Sequence, residues 1–243
     1  MNKKIITAVF GCVLGAAFAL SFTACNTADD ADGTKISAEE WTKAFDATAN
    51  SNCFTLEEVH KMTTFEGDAN EDYKVVYGFT NEKVRREITE NEQNGTVWSA
   101  TDYIICEEQA YQVMSEDGIS WFAYTASETL DSYKSNMFAY YNVMFAKEKN
   151  SEVFYELKDL YSSFNYDGGK YVGKLIYSDN IEVNVTVKIN NNYVEYLEWS
   201  YEVGAGEEKS SVFFSFSFKN YGTTEITVPE EAQEAIDILK ASN

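Results

Sequence analysis

One histidine, His60, and one proline, Pro229, stand in a chain of 243 residues. A lone imidazole cannot build the His-Glu-x-x-His zinc helix, and no such motif is written here. The nucleophile elbow Gly-x-Ser-x-Gly, the Walker loop and the dinucleotide pattern Gly-x-Gly-x-x-Gly are also missing. Gly204-Ala205-Gly206 is a turn ahead of acidic residues, with no phosphate-binding context. Glycoside hydrolysis needs only a pair of carboxylates, yet 40 Asp and Glu single out no pair. The four cysteines form no Cys-x-x-Cys, which argues against redox and zinc roles. Positive charge is scarce as well: 19 Lys and Arg leave a net charge of −21. Such a surface repels phosphate backbones and anionic headgroups, so nucleic acid is not an expected partner. The expectation is a protein that is not an enzyme, with no catalytic residue, no cofactor and no metal site.

Long apolar runs are limited to one. Ile5 to Ala24 carries no charge and follows Lys3 and Lys4. A basic head, an apolar stretch and small residues at its end form a secretory signal. Roughly 20 apolar residues also cross a bilayer, so an uncleaved anchor is the alternative. Phe22-Thr23-Ala24-Cys25 weighs against it. These residues resemble the lipobox of bacterial lipoproteins, with Phe22 in place of the usual leucine. The resemblance implies that the Cys25 sulfur receives a diacylglycerol and that the chain is cut just before it. Each buried lipid methylene contributes about 0.8 kcal/mol, and two acyl chains hold stably where one does not. Asn26 to Ile36 is polar, with Asp29, Asp30, Asp32 and Gly33, and has too little apolar surface to fold. Fully extended it reaches at most about 40 Å. Its acidic run lacks the later ligands of a calcium loop.

The expected organisation is a signal peptide over 1–24, a flexible acidic tether over 25–36 and one domain over 37–243. The expected location is extracytoplasmic, lipid-anchored to the bacterial cell membrane through Cys25. Cys12 leaves with the signal, and Cys53 and Cys106 remain. They allow one disulfide; two separate small apolar side chains is the preferred reading.

Ser37 and Glu40 spell a capping box, and Trp41, Ala44, Phe45 and Thr48 recur at helical spacing, predicting a helix over about 38–49. Thereafter the period is two. Ile181, Val183, Val185, Val187 and Ile189 alternate with polar residues in a half-buried strand. Asn190-Asn191-Asn192 turns the chain, and Leu197, Trp199, Tyr201 and Val203 share one face of the next strand. Val212, Phe214, Phe216 and Phe218 share a face of the third. Earlier strands are expected near 53–63, 73–80, 83–90, 96–106, 109–115 and 119–125, and later ones near 170–178 and 223–228. Leu130, Tyr133, Met137, Tyr140, Tyr141, Met144 and Phe145 are spaced for a helix inserted mid-sheet. Pro229, Glu230 and Glu231 open a closing helix with Ala232, Ala235, Ile236 and Leu239 on its apolar stripe. The predicted fold is mainly β (α+β): a large antiparallel sheet of about nine or ten strands, curled into a half-open barrel and covered by N-terminal, mid-chain and C-terminal helices.

Aromatic residues are abundant, with 17 Tyr, 16 Phe and 4 Trp. Most must be ordinary core. A curled sheet bearing Phe214, Phe216, Phe218, Trp199, Tyr201, Tyr77 and Phe79 on its concave face can also enclose an apolar ligand. Four stretches carry a family resemblance: "SAEEWTKAFDAT", "FNYDGGKYVGKL", "VTVKINNNYVEYLEWSYEV" and "YGTTEITVPEEAQEAI". Their order resembles the LolA/LppX-like superfamily of bacterial envelope lipoproteins and lipoprotein carriers. The resemblance implies a half-open barrel plugged by helices, which binds acyl chains or lipoproteins or serves as an envelope sensor. The expected function is a membrane-anchored protein binding a lipid or other amphiphile between Phe214, Phe216, Phe218, Trp199 and Tyr201 on the sheet and Met137 and Tyr141 on the inserted helix. The alternative is a sensor or scaffold with a filled core, meeting an envelope protein partner through its acidic surface.

Overall fold

The computed structural model describes residues 35–64, 70–91, 97–106, 109–126, 134, 143–204 and 209–242. Helix α1 (Ala38–Ala49) opens on the expected capping box: Ser37 Oγ accepts from the Glu40 amide, and Glu40 receives the Ser37 amide at 2.7 Å. Strands β1 (Phe54–Thr63), β2 (Glu71–Phe79), β3 (Lys83–Asn91), β4 (Val97–Cys106), β5 (Ala110–Ser115) and β6 (Phe122–Thr125) follow. A two-stranded pair, β7 (Met144–Phe145) and β8 (Tyr155–Glu156), precedes β9 (Phe164–Asp167), β10 (Lys170–Ile176), β11 (Glu182–Asn190), β12 (Tyr193–Val203) and β13 (Ser210–Lys219). Helix α2 (Glu230–Ser242) closes the chain.

Eleven strands form one antiparallel sheet in the order β6-β5-β4-β3-β2-β1-β13-β12-β11-β10-β9. The first strand pairs with the last, so the N-terminal and C-terminal meanders meet at β1–β13 in the middle. The sheet is curled and not closed, with β6 and β9 at its edges. Two-residue turns set the hairpins. Asn191 and Asn192 both take positive φ between β11 and β12, as do Gly168 and Gly169 between β9 and β10, the geometry whose twist matches paired strands.

Opposed residues in an antiparallel ladder share a face. One face carries Phe54, Leu56, Tyr77, Phe79, Val84, Ile104, Val183, Val185, Leu197, Phe216 and Phe218, all buried in the main core. Helix α1 is seated here. Its Trp41 ring lies 5.0 Å from Phe164 and 5.2 Å from Tyr171, and its Nε1 donates to Leu157 O. A β-bulge between Lys188 and Ile189 on β11 gives β12 one extra residue, Glu195, which turns Val194 inward. The Val194 amide donates to Thr48 Oγ1 at 2.9 Å, and Tyr221 donates to Val194 O at 2.7 Å.

The opposite face has its own smaller core. Ala232 and Ile236 of α2 pack on Tyr103, Ile105 and Val113. The sheet is thus covered on both sides, with α1 and α2 divided between its faces. The predicted strand near 223–228 is not a strand. This segment crosses the α2 face as irregular chain, where Ile226 approaches Gly78 and Thr224 bonds Thr55. Met144 and Phe145, spaced for a helix, lie in β7 instead, with Phe145 fully buried beside Tyr177. Of the expected mid-chain helix, Lys134 is helical and bonds Asn52; its other positions, Met137 and Tyr141 included, lie outside the described residues. So do the signal segment and Cys25. The end of the expected tether is ordered: Ile36 is pinned by Tyr171 and Tyr161 hydroxyls at 2.7 and 2.5 Å. Cys53 and Cys106 are not joined in a disulfide. Cys53 precedes β1 and Cys106 ends β4, three strand spacings away, or about 14 Å, well beyond the reach of a disulfide.

Candidate functional site

On the α1 face, β12, β13, β1 and β2 place Trp199, Phe214, His60 and Tyr73 at directly opposed positions. Neighbouring strands lie about 4.8 Å apart, so rings standing upright at one level stack. Trp199 and Phe214 lie 4.2 Å apart at 22°, and Phe214 and His60 4.1 Å apart at 8°. Tyr73 ends the row edge-on, 4.7 Å from His60. Tyr201 extends it along β12 at 6.1 Å from Trp199, and Tyr177 lies 6.1 Å from the same ring. The row lies five residues along β12 from Val194, where α1 is fixed.

The site residues expected from sequence divide here. Trp199, Phe214 and Tyr201 belong to the row, and Phe214 and Tyr201 are only half-buried. Phe216 and Phe218 continue down β13 into the main core, each 1% exposed. Phe218 packs 6.2 Å from Phe54, beside Tyr77 and Phe79. The described residues do not include Met137 or Tyr141.

Three members were not expected from the sequence: Tyr73, Tyr177 and Glu58. The signal for Glu58 was present in the alternation of β1, where Leu56, Glu58 and His60 occupy the inward phase. Glu58 is 3% exposed, opposite Phe216 and Val75. No hydrogen-bond or ion-pair partner meets it among the described residues. Burial alone pushes its carboxyl up to about 7. Burial also lowers the pKa of His60, favouring the neutral imidazole. His60 Nδ1 is 3.3 Å from Glu71 Oε2, an ion pair only if the ring is protonated, and the geometry makes no hydrogen bond. Trp199 Nε1 is likewise buried without a hydrogen-bond partner.

Among the described residues the face holds one other buried acid, Asp102 on β4, which is paired through Oδ2 while its Oδ1 has no hydrogen-bond partner. Arg86 Nε donates to Asp102 Oδ2 at 2.8 Å, and Arg86 Nη2 meets the same oxygen. Desolvation raises the Asp102 pKa against the opposing pull of Arg86. Among the described residues no group of three or more His, Cys, Asp or Glu is placed to hold a metal ion. The arrangement supplies an apolar wall with a few unsatisfied polar atoms.

No protein-family model matches the chain, and no curated protein matches it. Among solved structures, a LolA superfamily protein from Nitrosomonas europaea is similar to it at 9% sequence identity and a TM-score of 0.25, over 79% of this chain and 96% of that one. A likeness at that score carries no argument, and the face is read from its own residues.

Proposed function

We propose that this chain is an envelope lipoprotein, anchored through a diacylglycerol on Cys25, that binds a lipid or other amphiphile on the concave face of its half-open sheet. The observation that supports binding is the aromatic row. Four strands converge on it, its rings are ordered by mutual stacking, and it retains buried polar atoms with no partner. Membership of the LolA/LppX-like superfamily is part of the proposal and rests on the sequence resemblance. The anchor rests on the lipobox-like Phe22-Thr23-Ala24-Cys25. Nine residues separate Cys25 from Lys35 in the sequence.

A second reading, a sensor or scaffold without a small ligand, is favoured by Phe216 and Phe218, which are packed as plain core. Mass spectrometry of organic extracts from protein purified out of its native membrane separates the two. Co-purifying amphiphile at near-stoichiometric yield supports binding, and an empty extract supports the scaffold. Cys25→Ala is expected to move the protein from the membrane fraction to the soluble fraction, or to leave it as an uncleaved precursor. Unchanged lipid-type anchoring in that variant removes the lipoprotein reading.

A further inference from the structure

We infer that the amphiphile taken up by the aromatic row carries a cationic amine head, and that Glu58 is the group that receives it. This rests on the reading of the row as a binding surface. Glu58 stands one inward position below His60 on β1, at the boundary between the row and the main core. A carboxyl group at 3% exposure with no partner among the described residues is costly to a fold. Buried polar groups in native proteins are otherwise nearly always satisfied. Two further orphans, His60 Nδ1 and Trp199 Nε1, lie in the same row. Among the described residues three more such atoms, Arg85 Nε, Asp102 Oδ1 and Trp121 Nε1, lie outside the row.

Charge decides which head group meets it. A carboxylate guest brings a second acid beside Glu58, and two adjacent acids cannot both ionise cheaply. The whole-chain charge of −21 also repels anions and concentrates cations near the surface. An ammonium supplies both the opposite charge and three N–H donors to a group that has neither. Asp102, the other buried acid of this face among the described residues, differs in having a cation, Arg86, on its Oδ2, although its Oδ1 has no hydrogen-bond partner. The stacked rings of Trp199, Phe214 and His60 then line the path of the alkyl chain.

The test uses the chain from Cys25 onward and three probes of equal length: dodecylamine, dodecanoic acid and dodecanol. Calorimetric titration in about 0.3 M salt screens the general surface field. The expected result is that the amine binds about tenfold or more tightly than the acid, as for a charged hydrogen bond in a buried site. In Glu58→Gln, and equally in Glu58→Leu, that ratio falls toward one. The inference is overturned if the acid binds as tightly as the amine, or if the preference survives both substitutions. Wild-type protein that binds the alcohol with no preference for the amine sinks this inference and leaves the binding surface standing. If none of the three probes binds, both readings fall.

Discussion

The two ends of the α1 face are built on the same strands yet treat polar atoms in opposite ways. Under α1, Trp41 Nε1 donates to Leu157 O, and the Val194 amide and carbonyl are taken by Thr48 and Tyr221. Along β12, a second buried indole, Trp199, has no acceptor, His60 Nδ1 has no donor or acceptor in line, and Glu58 has no partner among the described residues. Among the described residues Asp102 Oδ1 on the same face, and Arg85 Nε and Trp121 Nε1, also lack a hydrogen-bond partner. On the proposed reading the first end is a structural core and the second a surface held for a guest, since an unsatisfied buried group calls for an explanation.

The comparison breaks most readily in the rings. Phe54 is fully buried and stacks 4.7 Å from Phe79. Phe54→Ala is expected to cost about 3–5 kcal/mol in urea unfolding, and Phe216→Ala should fall in the same range. Phe214→Ala removes a half-buried ring and should cost about 1–2 kcal/mol. If Phe214→Ala proves as costly as Phe54→Ala, the row is core and the distinction between the two ends disappears.

Glu58 sharpens the contrast through pH. Its folded-state pKa of about 7 lies above its ordinary 4.5. The native state therefore holds the proton more tightly than the unfolded chain. Stability from this group is full below pH 4.5 and is lost as pH rises through 7. Glu58→Gln removes the titration. The variant should match wild type near pH 4 and exceed it by about 3 kcal/mol above pH 8. Chemical denaturation at the two pH values reads the difference. Equal gains at both would mean that Glu58 is not held out of water when the protein is folded.

Much of the frame was legible from alternation, because a residue's phase in a strand fixes its face. Val183, Val185 and Val187 were placed inward by period alone and are fully buried. The capping box at Ser37 was legible for a similar reason, since its two hydrogen bonds are local. Ile226 and Val228 show the limit. Their spacing is that of a strand, but spacing reports burial and not backbone pairing, and both residues pack on the α2 core without joining a ladder. The bulge at Glu195 was hidden because its cause is distant: Thr48 and Tyr221 take the Val194 backbone groups. The row itself was half legible. Trp199, Phe214 and Tyr201 announce themselves as rings in phase, whereas Tyr73 and Tyr177 join only through strand order and register. Glu58 is in phase as well, but a lone acid at an inward position carries meaning only once its neighbours are known to be Phe216 and Val75.

The smallest expected effect lies at the satisfied end, where one hydroxyl links helix to sheet. Thr48 Oγ1 donates to Ala44 O at 2.9 Å and accepts the Val194 amide at the same distance. The Tyr221 hydroxyl lies 3.4 Å away and is itself buried enough that its pKa is raised, so it stays protonated and able to donate. Thr48→Val keeps the volume and removes only the oxygen. The Val194 amide then has no acceptor in a site that water does not reach freely, a loss of about 1–3 kcal/mol. The bulged residue Glu195 also loses the contact that holds its neighbour inward, so the Val194 amide should exchange with solvent deuterium faster than those of Val185 and Val187. If Thr48→Val costs nothing and amide exchange at Val194 is unchanged, the hydrogen bonds at this end contribute no more than the unmade ones in the row, and satisfaction of polar atoms does not distinguish core from site in this sheet.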